Sequence, residues 1–246
     1  MQITPLGGVI DVAFHGHTAY ALVSLIGDAL LGATGTDGIY RIEPDGSYTI
    51  IADLGTYSKN NPPPPGFDYF LENGVQFAIE SVDDGFLVSD GHLNRVLHVT
   101  LGGDIRVVEQ FGNIAPAGLI EQDNVIYMAE VGPVPHDAAT GRIEAFSWFE
   151  PRVVAAGVPM IVDVAAGHRG RLFALSQGDF GGGAPGDPAL PNTGRLLEVR
   201  RDGTFQVLAE GINLPSALNV LGPHAVVVTL TGEVWRFPLP NRGHRH

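Results

Sequence analysis

Asp11 and Asp163 stand at the same place in two copies of an Asp-Val-Ala triplet, and the corresponding place in three further repeats carries Gln76, Gly118 and Ala217. Two carboxylates and an amide oxygen converging on one axis could hold Ca2+, a hard cation that takes several oxygen ligands. The competing use of each aspartate is to accept backbone N–H groups where a strand begins. A second pair of acids closes two short apolar runs: Asp90 after Phe86-Leu-Val-Ser89, and Glu130 after Val125-Ile-Tyr-Met-Ala129. A carboxylate beside water or a metal could add a ligand or act as general base; on a solvated rim it would do neither. His92 and His136 fall on or near the following loops and titrate in the range that acid–base work needs, unless they are merely exposed. Tyr57, Asn60 and Asn61 precede four prolines, Pro62 to Pro65. The two amides could orient a substrate carbonyl or complete a metal shell, or they could shape the turn ahead of the prolines. Tyr69, with Phe67 and Phe70, and Phe180 could wall a ligand or hold long loops down.

Composition and motif remove other chemistries. The 246 residues include no cysteine, which rules out thiolate metal sites, thiol nucleophiles and disulfides. No Gly-x-Ser-x-Gly occurs. Gly181-Gly-Gly183 lacks the Lys-Ser/Thr of a phosphate loop. Water activated by a metal or a carboxylate is the mechanism that survives. The formal net charge of −13 argues against nucleic acid, which needs a basic face. It suits a small neutral or cationic substrate and divalent metals. No apolar run approaches the roughly 20 residues that span a bilayer, and Met1-Gln-Ile-Thr-Pro5 does not have the form of a signal peptide.

The elements that must position these residues form a repeat. Five short apolar strands, beginning near Gly8, Val75, Ala117, Ile161 and Ser216, are each followed within a few residues by a second and then a third. Turns such as Pro44-Asp-Gly46, Gly102-Gly103 and Arg201-Asp-Gly203 lead to a fourth strand in the first four units. Short strands between Gly/Asp/Pro turns, recurring at roughly 40–55 residues, predict a β-propeller of four-stranded blades. The expected fold is therefore all-β, with five blades in one domain over residues 1–246 and a polar tail at 241–246. The fifth unit lacks its fourth strand, and Gln2-Ile-Thr-Pro-Leu6 is the candidate to complete it, with Pro5 confining it to an edge. Long insertions follow the second strands of units one, three and four, and a linker joins units one and two. In an up-and-down blade all of these emerge on one face, where binding and catalysis usually sit. His15 and His17 fall in a turn on the opposite face.

Ala52-Asp-Leu-Gly-Thr-Tyr-Ser-Lys-Asn-Asn-Pro62 resembles the linker of the scytonemin-cluster propeller family, itself related to the NHL-repeat and gluconolactonase-like propellers. Phe86-Leu-Val-Ser-Asp90 with Asn94-Arg-Val-Leu97, Tyr127-Met-Ala-Glu-Val-Gly132 and Ile161-Val-Asp-Val-Ala165 extend the resemblance from about residue 8 to 237. It implies a six-bladed ring, often exported, with no settled activity. Five units here would leave one side of the ring open, which favours a homodimer. The metal ligands of the gluconolactonase-like enzymes would fall at Ile10, Val75, Ala117, Val162 and Ser216, mostly apolar, so that site is not reproduced.

The expected function is a metal-dependent hydrolase of small esters, lactones or phosphotriesters. Asp11, Asp163 and Gln76 would hold Ca2+, and Asp90, Glu130, His136 or His92 would serve as base. Tyr57, Asn60, Asn61, Tyr69 and Phe180 would contact the substrate. The alternative is a non-enzymatic binding propeller, and a lyase acting on a cyclic ester would use the same face.

Overall fold

Alternating apolar and polar residues, cut at short intervals by turn formers, leave this chain little choice but narrow antiparallel sheets. A computed structural model describes residues 7–136, 139–147, 151–184 and 186–240. The first blade is β1 (Gly8–His15), β2 (Thr18–Ser24), β3 (Gly38–Ile42) and β4 (Tyr48–Asp53). The second is β5 (Gln76–Val82), β6 (Gly85–Asp90), β7 (Arg95–Thr100) and β8 (Ile105–Gln110). The third is β9 (Pro116–Gln122), β10 (Val125–Glu130), β11 (Gly141–Phe146) and β12 (Arg152–Val158). The fourth is β13 (Ile161–Gly167), β14 (Arg171–Ser176), β15 (Gly194–Val199) and β16 (Phe205–Ile212). The fifth shows three strands among the described residues, β17 (Pro215–Leu221), β18 (His224–Thr229) and β19 (Val234–Pro238). Each sheet keeps its strands in chain order, the up-and-down order of a propeller blade. The segment expected to complete blade five, residues 2–6, and the tail at 241–246 lie outside the described residues.

The chain gathers into two compact units, residues 1–117 and 118–246, where the repeat alone reads as one domain. In the first unit, Tyr20, Leu22 and Ile39 of blade one pack against Ile79, Val88 and Leu97 of blade two. Phe86 lies with its ring 4.6 Å from that of Tyr20. In the second, Ile143 of blade three meets Val164, Ala174 and Leu197 of blade four. Phe173, Leu175 and Leu196 on the other face of blade four meet Leu218, Ala225 and Val227 of blade five. Each such side chain contributes about 1.5–3 kcal/mol on burial.

Two local features bear on the site. The first strands β1, β5, β13 and β17 each carry a bulge near their start, at Val9/Asp11, Gln76/Ala78, Ile161/Asp163 and Pro215/Ala217. This register aligns Asp11 and Asp163 with Ala78, so Gln76 lies two residues out of the expected set. The linker after β4 begins with a helix, α1 (Leu54–Asn60). Asp53 caps it by accepting the Thr56 N–H at 2.8 Å. Seven residues are too few for the periodicity by which a helix is read from sequence.

Candidate functional site

Asp11 and Asp163 make the same pair of bonds in different units. Asp11 accepts the Val12 N–H at 2.8 Å and the Ile79 N–H of the next blade at 2.9 Å. Asp163 accepts the Val164 N–H at 2.8 Å and the Leu218 N–H of the next blade at 2.6 Å. A bulge frees the backbone N–H groups that these carboxylates satisfy, so each aspartate is a strap between consecutive first strands. Burial raises the pKa of Asp11, against the pull of the two N–H donors. Gly118 lies against the second strap; a Cβ there would stand 2.0 Å from Asp163 Oδ1.

These groups do not fit a calcium ion. Ca2+ needs six to eight oxygens, whereas each aspartate already gives both of its oxygens to N–H groups. The Gln76 amide oxygen accepts the Ser24 hydroxyl at 2.9 Å, its amide nitrogen donates to the Asn73 carbonyl at 2.9 Å, and the residue is wholly buried. Among the described residues no cluster of three or more His, Asp or Glu side chains is placed to hold a metal.

In the first unit the candidates converge on a cation that no motif marks. Arg95, 1% exposed, pairs with Asp90 at 3.4 Å and donates to the Asn61 carbonyl at 2.7 Å and the Ser58 hydroxyl at 2.9 Å. Its guanidinium lies 5.7 Å from the centre of the Tyr57 ring. Asp90 is wholly buried and also accepts the Val75 and Leu93 N–H groups. Burial raises its pKa, and Arg95 with those two donors opposes the rise. Gly74, at φ +74°, admits this carboxylate: a Cβ there would sit 2.4 Å from Asp90 Oδ2. Asp90, Tyr57 and Asn61 therefore dock α1 onto blade two, and Asn61 ends the helix by donating its amide to the Tyr57 carbonyl. His92 Nε2 accepts the N–H groups of both Phe70 and Leu71 at 3.0 Å, which requires a neutral ring protonated on Nδ1. Its ring stands edge-on to Phe70 at 4.6 Å, and burial lowers its pKa. Asn60 and Tyr69 are exposed.

In the second unit Glu130 is 1% exposed and accepts from Arg142 Nε at 2.5 Å. Its pKa is pushed up to about 8 by burial and by Glu144, with Arg142 pulling the other way. Its Oε1 is buried without a hydrogen-bond partner among the described residues. His136 and Phe180 come from different insertions and meet edge-on at 5.1 Å. With Pro135, Pro159, Asp179 and two glycines they line a cleft of about 490 Å3. Burial lowers the pKa of His136 against a hydrogen bond to the Pro133 backbone, and its Nδ1 is buried with no hydrogen-bond partner among the described residues. Arg195 holds Asp179 at the cleft rim with two bonds, 3.0 and 3.1 Å. Of the expected site residues, His136 and Phe180 line this cleft.

The arginines carried a signal that was missed. Arg95, Arg142 and Arg195 each stand first or second in a third strand and are followed by an aliphatic residue. Each pairs with an acid at or just beyond the end of the second strand.

No family model and no curated protein matches the chain. Solved structures do. The chain resembles a structure from a nidogen–laminin complex at TM-score 0.66 and 16% identity, covering 94% of this chain and 76% of that one. A catalytically inactive histidine-to-alanine variant of virginiamycin B lyase from Staphylococcus aureus, with quinupristin, matches at TM-score 0.54 and 14% identity, over 96% and 72%. A gluconolactonase from Xanthomonas campestris matches at TM-score 0.59 and 14% identity, over 91% and 69%. These neighbours are six-bladed propellers. The likeness extends to the propeller fold and assigns no family.

Proposed function

We propose that this propeller binds a small, partly apolar organic molecule in the cleft between the insertions of blades three and four. The observation that carries the reading is the meeting of His136 and Phe180 in a cleft of about 490 Å3. That volume lies within the usual range of small-molecule sites, and the lining combines aromatic and proline surface with one imidazole, as such sites do. Arg195 and Asp179 would orient a polar end of the ligand from the rim.

A second reading adds catalysis, and the His136 ring favours it. Burial lowers the pKa of His136, against the pull of a hydrogen bond to the Pro133 backbone, and so favours the neutral ring, which is the form a general base needs. Hydrolysis of an ester or lactone would then run through water. The imidazole takes a proton as the water oxygen attacks the carbonyl carbon, and the imidazolium returns that proton to the leaving alkoxide as the C–O bond breaks. The metal expected from Asp11, Asp163 and Gln76 enters no step, because those groups are committed elsewhere. The neighbours support either reading: they include a lactonase and a lyase, and a propeller from a complex with another protein.

The test is thermal-shift and calorimetric screening of small aromatic esters and lactones, with turnover assayed in parallel on an aryl ester, a lactone and a phosphotriester, each with and without chelator. Ligand binding lost in Phe180→Ala and His136→Ala supports the cleft. Turnover lost in His136→Gln while binding persists supports the base. Turnover abolished by chelator and restored by Ca2+ overturns this account in favour of a metal.

A further inference from the structure

The linker after blade one carries four consecutive prolines, Pro62 to Pro65, and covalent geometry fixes their conformation. Each ring holds φ at about −65°. A residue followed by proline is kept out of the α region, which applies to Asn61, Pro62, Pro63 and Pro64. Asn61 accordingly has φ −132° and ψ 68°. Pro62 to Pro64 are left with the polyproline II conformation, an extended helix of three residues per turn with no internal hydrogen bonds. Pro65 and Gly66 then turn the chain. Gly66, at φ +104°, stands where a type II turn needs a positive φ.

Three residues per turn put Pro62 and Pro65 on one edge of the segment. Pro63 is buried, whereas Pro62, Pro64 and Pro65 are exposed, so one edge faces the protein and two face solvent. Among the described residues no hydrogen-bond donor reaches the carbonyls of these four prolines. Both ends of the segment are tied to blade two. Arg95, the first residue of β7, donates to the Asn61 carbonyl at 2.7 Å. His92, between β6 and β7, accepts the N–H groups of Phe70 and Leu71 at 3.0 Å. A short extended segment anchored on both sides is ordered before anything binds it, which lowers the entropic cost of association. One charge accompanies it. Lys59, the only lysine in the sequence, is exposed three residues before Pro62, and it is the only charged residue from Leu54 to Phe67.

We propose that Pro62–Pro65, with Lys59 beside it, is a docking segment for a partner domain of the SH3 type. Such domains lay a Pro-x-x-Pro segment in polyproline II form into a groove lined by aromatic side chains. The rings of Pro62 and Pro65, on their shared edge, supply the two prolines, and the unengaged carbonyls accept hydrogen bonds from the groove. Lys59 lies in the last turn of α1, and its long side chain carries the charge to a carboxylate at the end of the groove. A linker that served only as a rigid spacer would need neither the exposed edges nor the cation. No residue of the cleft between the insertions of blades three and four takes part.

The experiment is isothermal titration calorimetry of the full chain, and of a peptide spanning residues 59–67, against an SH3 domain selected for basic Pro-x-x-Pro ligands. The full chain should bind more tightly than the peptide, which must be ordered on binding. Pro62→Ala combined with Pro65→Ala should weaken binding by the full chain at least about tenfold. Lys59→Gln should weaken it about threefold at low salt and leave it unchanged at about 1 M salt, where charges are screened. All three positions are exposed, so the variants should fold, and circular dichroism with thermal melting checks that they do. A domain that binds the peptide but not the chain overturns the proposal, as does one that binds neither, or binding untouched by the double substitution. A peptide that binds as tightly as the chain overturns the role given to the anchors. A Lys59→Gln variant that binds like the wild type at low salt overturns the role given to the lysine.

Discussion

Two histidines, each edge-on to a phenylalanine, do opposite things in the two units. His92 spends its only lone pair on two backbone N–H groups and pins the proline-rich linker to blade two. His136 meets Phe180 in a comparable geometry, but it sits at a cleft and its buried Nδ1 has no hydrogen-bond partner among the described residues. The arginines nearby differ in the same way. Arg95 is buried and holds a helix, whereas Arg195 is partly exposed and holds Asp179 at a rim. Residue types at matching places in the repeat thus lock one insertion shut and leave another with an accessible surface. Candidate chemistry is separated from structural chemistry by which hydrogen-bonding atoms remain uncommitted.

The sharpest way to break this contrast is to remove the two arginines. Arg95→Ala strands a buried carboxylate and should cost about 3–5 kcal/mol in urea unfolding, while Arg195→Ala should cost less than about 1 kcal/mol. Equal losses would erase the distinction. The straps should behave alike in the two units. Asp11→Ala and Asp163→Ala each orphan two backbone N–H groups and should each destabilise by about 1–3 kcal/mol. Calcium should then leave the melting temperature of the wild type unchanged, and a calcium-dependent rise lost in either variant would restore the metal to both sites.

pH sharpens the comparison from two sides. The folded pKa of Glu130 is raised to about 8 from 4.5, so the folded state binds the extra proton between those values. Its stabilising contribution is complete below about pH 4.5 and is lost as pH rises towards 8, by up to about 1.4 kcal/mol per pH unit. Glu130→Gln should flatten that slope in denaturant titrations. The folded pKa of His92 is lowered, so its contribution is present above about pH 6.5 and is lost as pH falls below it. His92→Asn should reduce the acid-side loss. The smallest effect belongs to the exposed linker amide: Asn60→Ala at the end of α1 should change stability by less than about 0.5 kcal/mol, against a clear loss for Ser58→Ala beneath it.

Much of the architecture was legible in the sequence. Period-2 apolar strands, the Asp-Gly and Gly-Gly turns and the repeat interval specify blades, because each is a local consequence of backbone geometry. The candidate site was legible only as a roster. Asp90 and Glu130 read as candidate bases at strand ends, yet both are buried beside arginines that lie 5 and 12 residues further along the chain. Gln76 read as a ligand because the repeat was set two residues out of register in blade two, and no residue type announces where the bulge falls. Tyr57 and Asn61 read as substrate contacts because the helix that turns them towards Arg95 is too short to show a period.

The sequence by itself determined the blade repeat, the absence of thiol chemistry and the acidic balance, since these depend on composition and on neighbours a few residues apart. Tertiary structure decided which polar atoms are spoken for. Asp11 and Asp163 are engaged by the N–H groups of Ile79 and Leu218, 68 and 55 residues away, and His136 meets Phe180 across two insertions. Whether a carboxylate or an imidazole is free to act depends on which distant backbone reaches it first, and only folding brings that backbone within 3 Å.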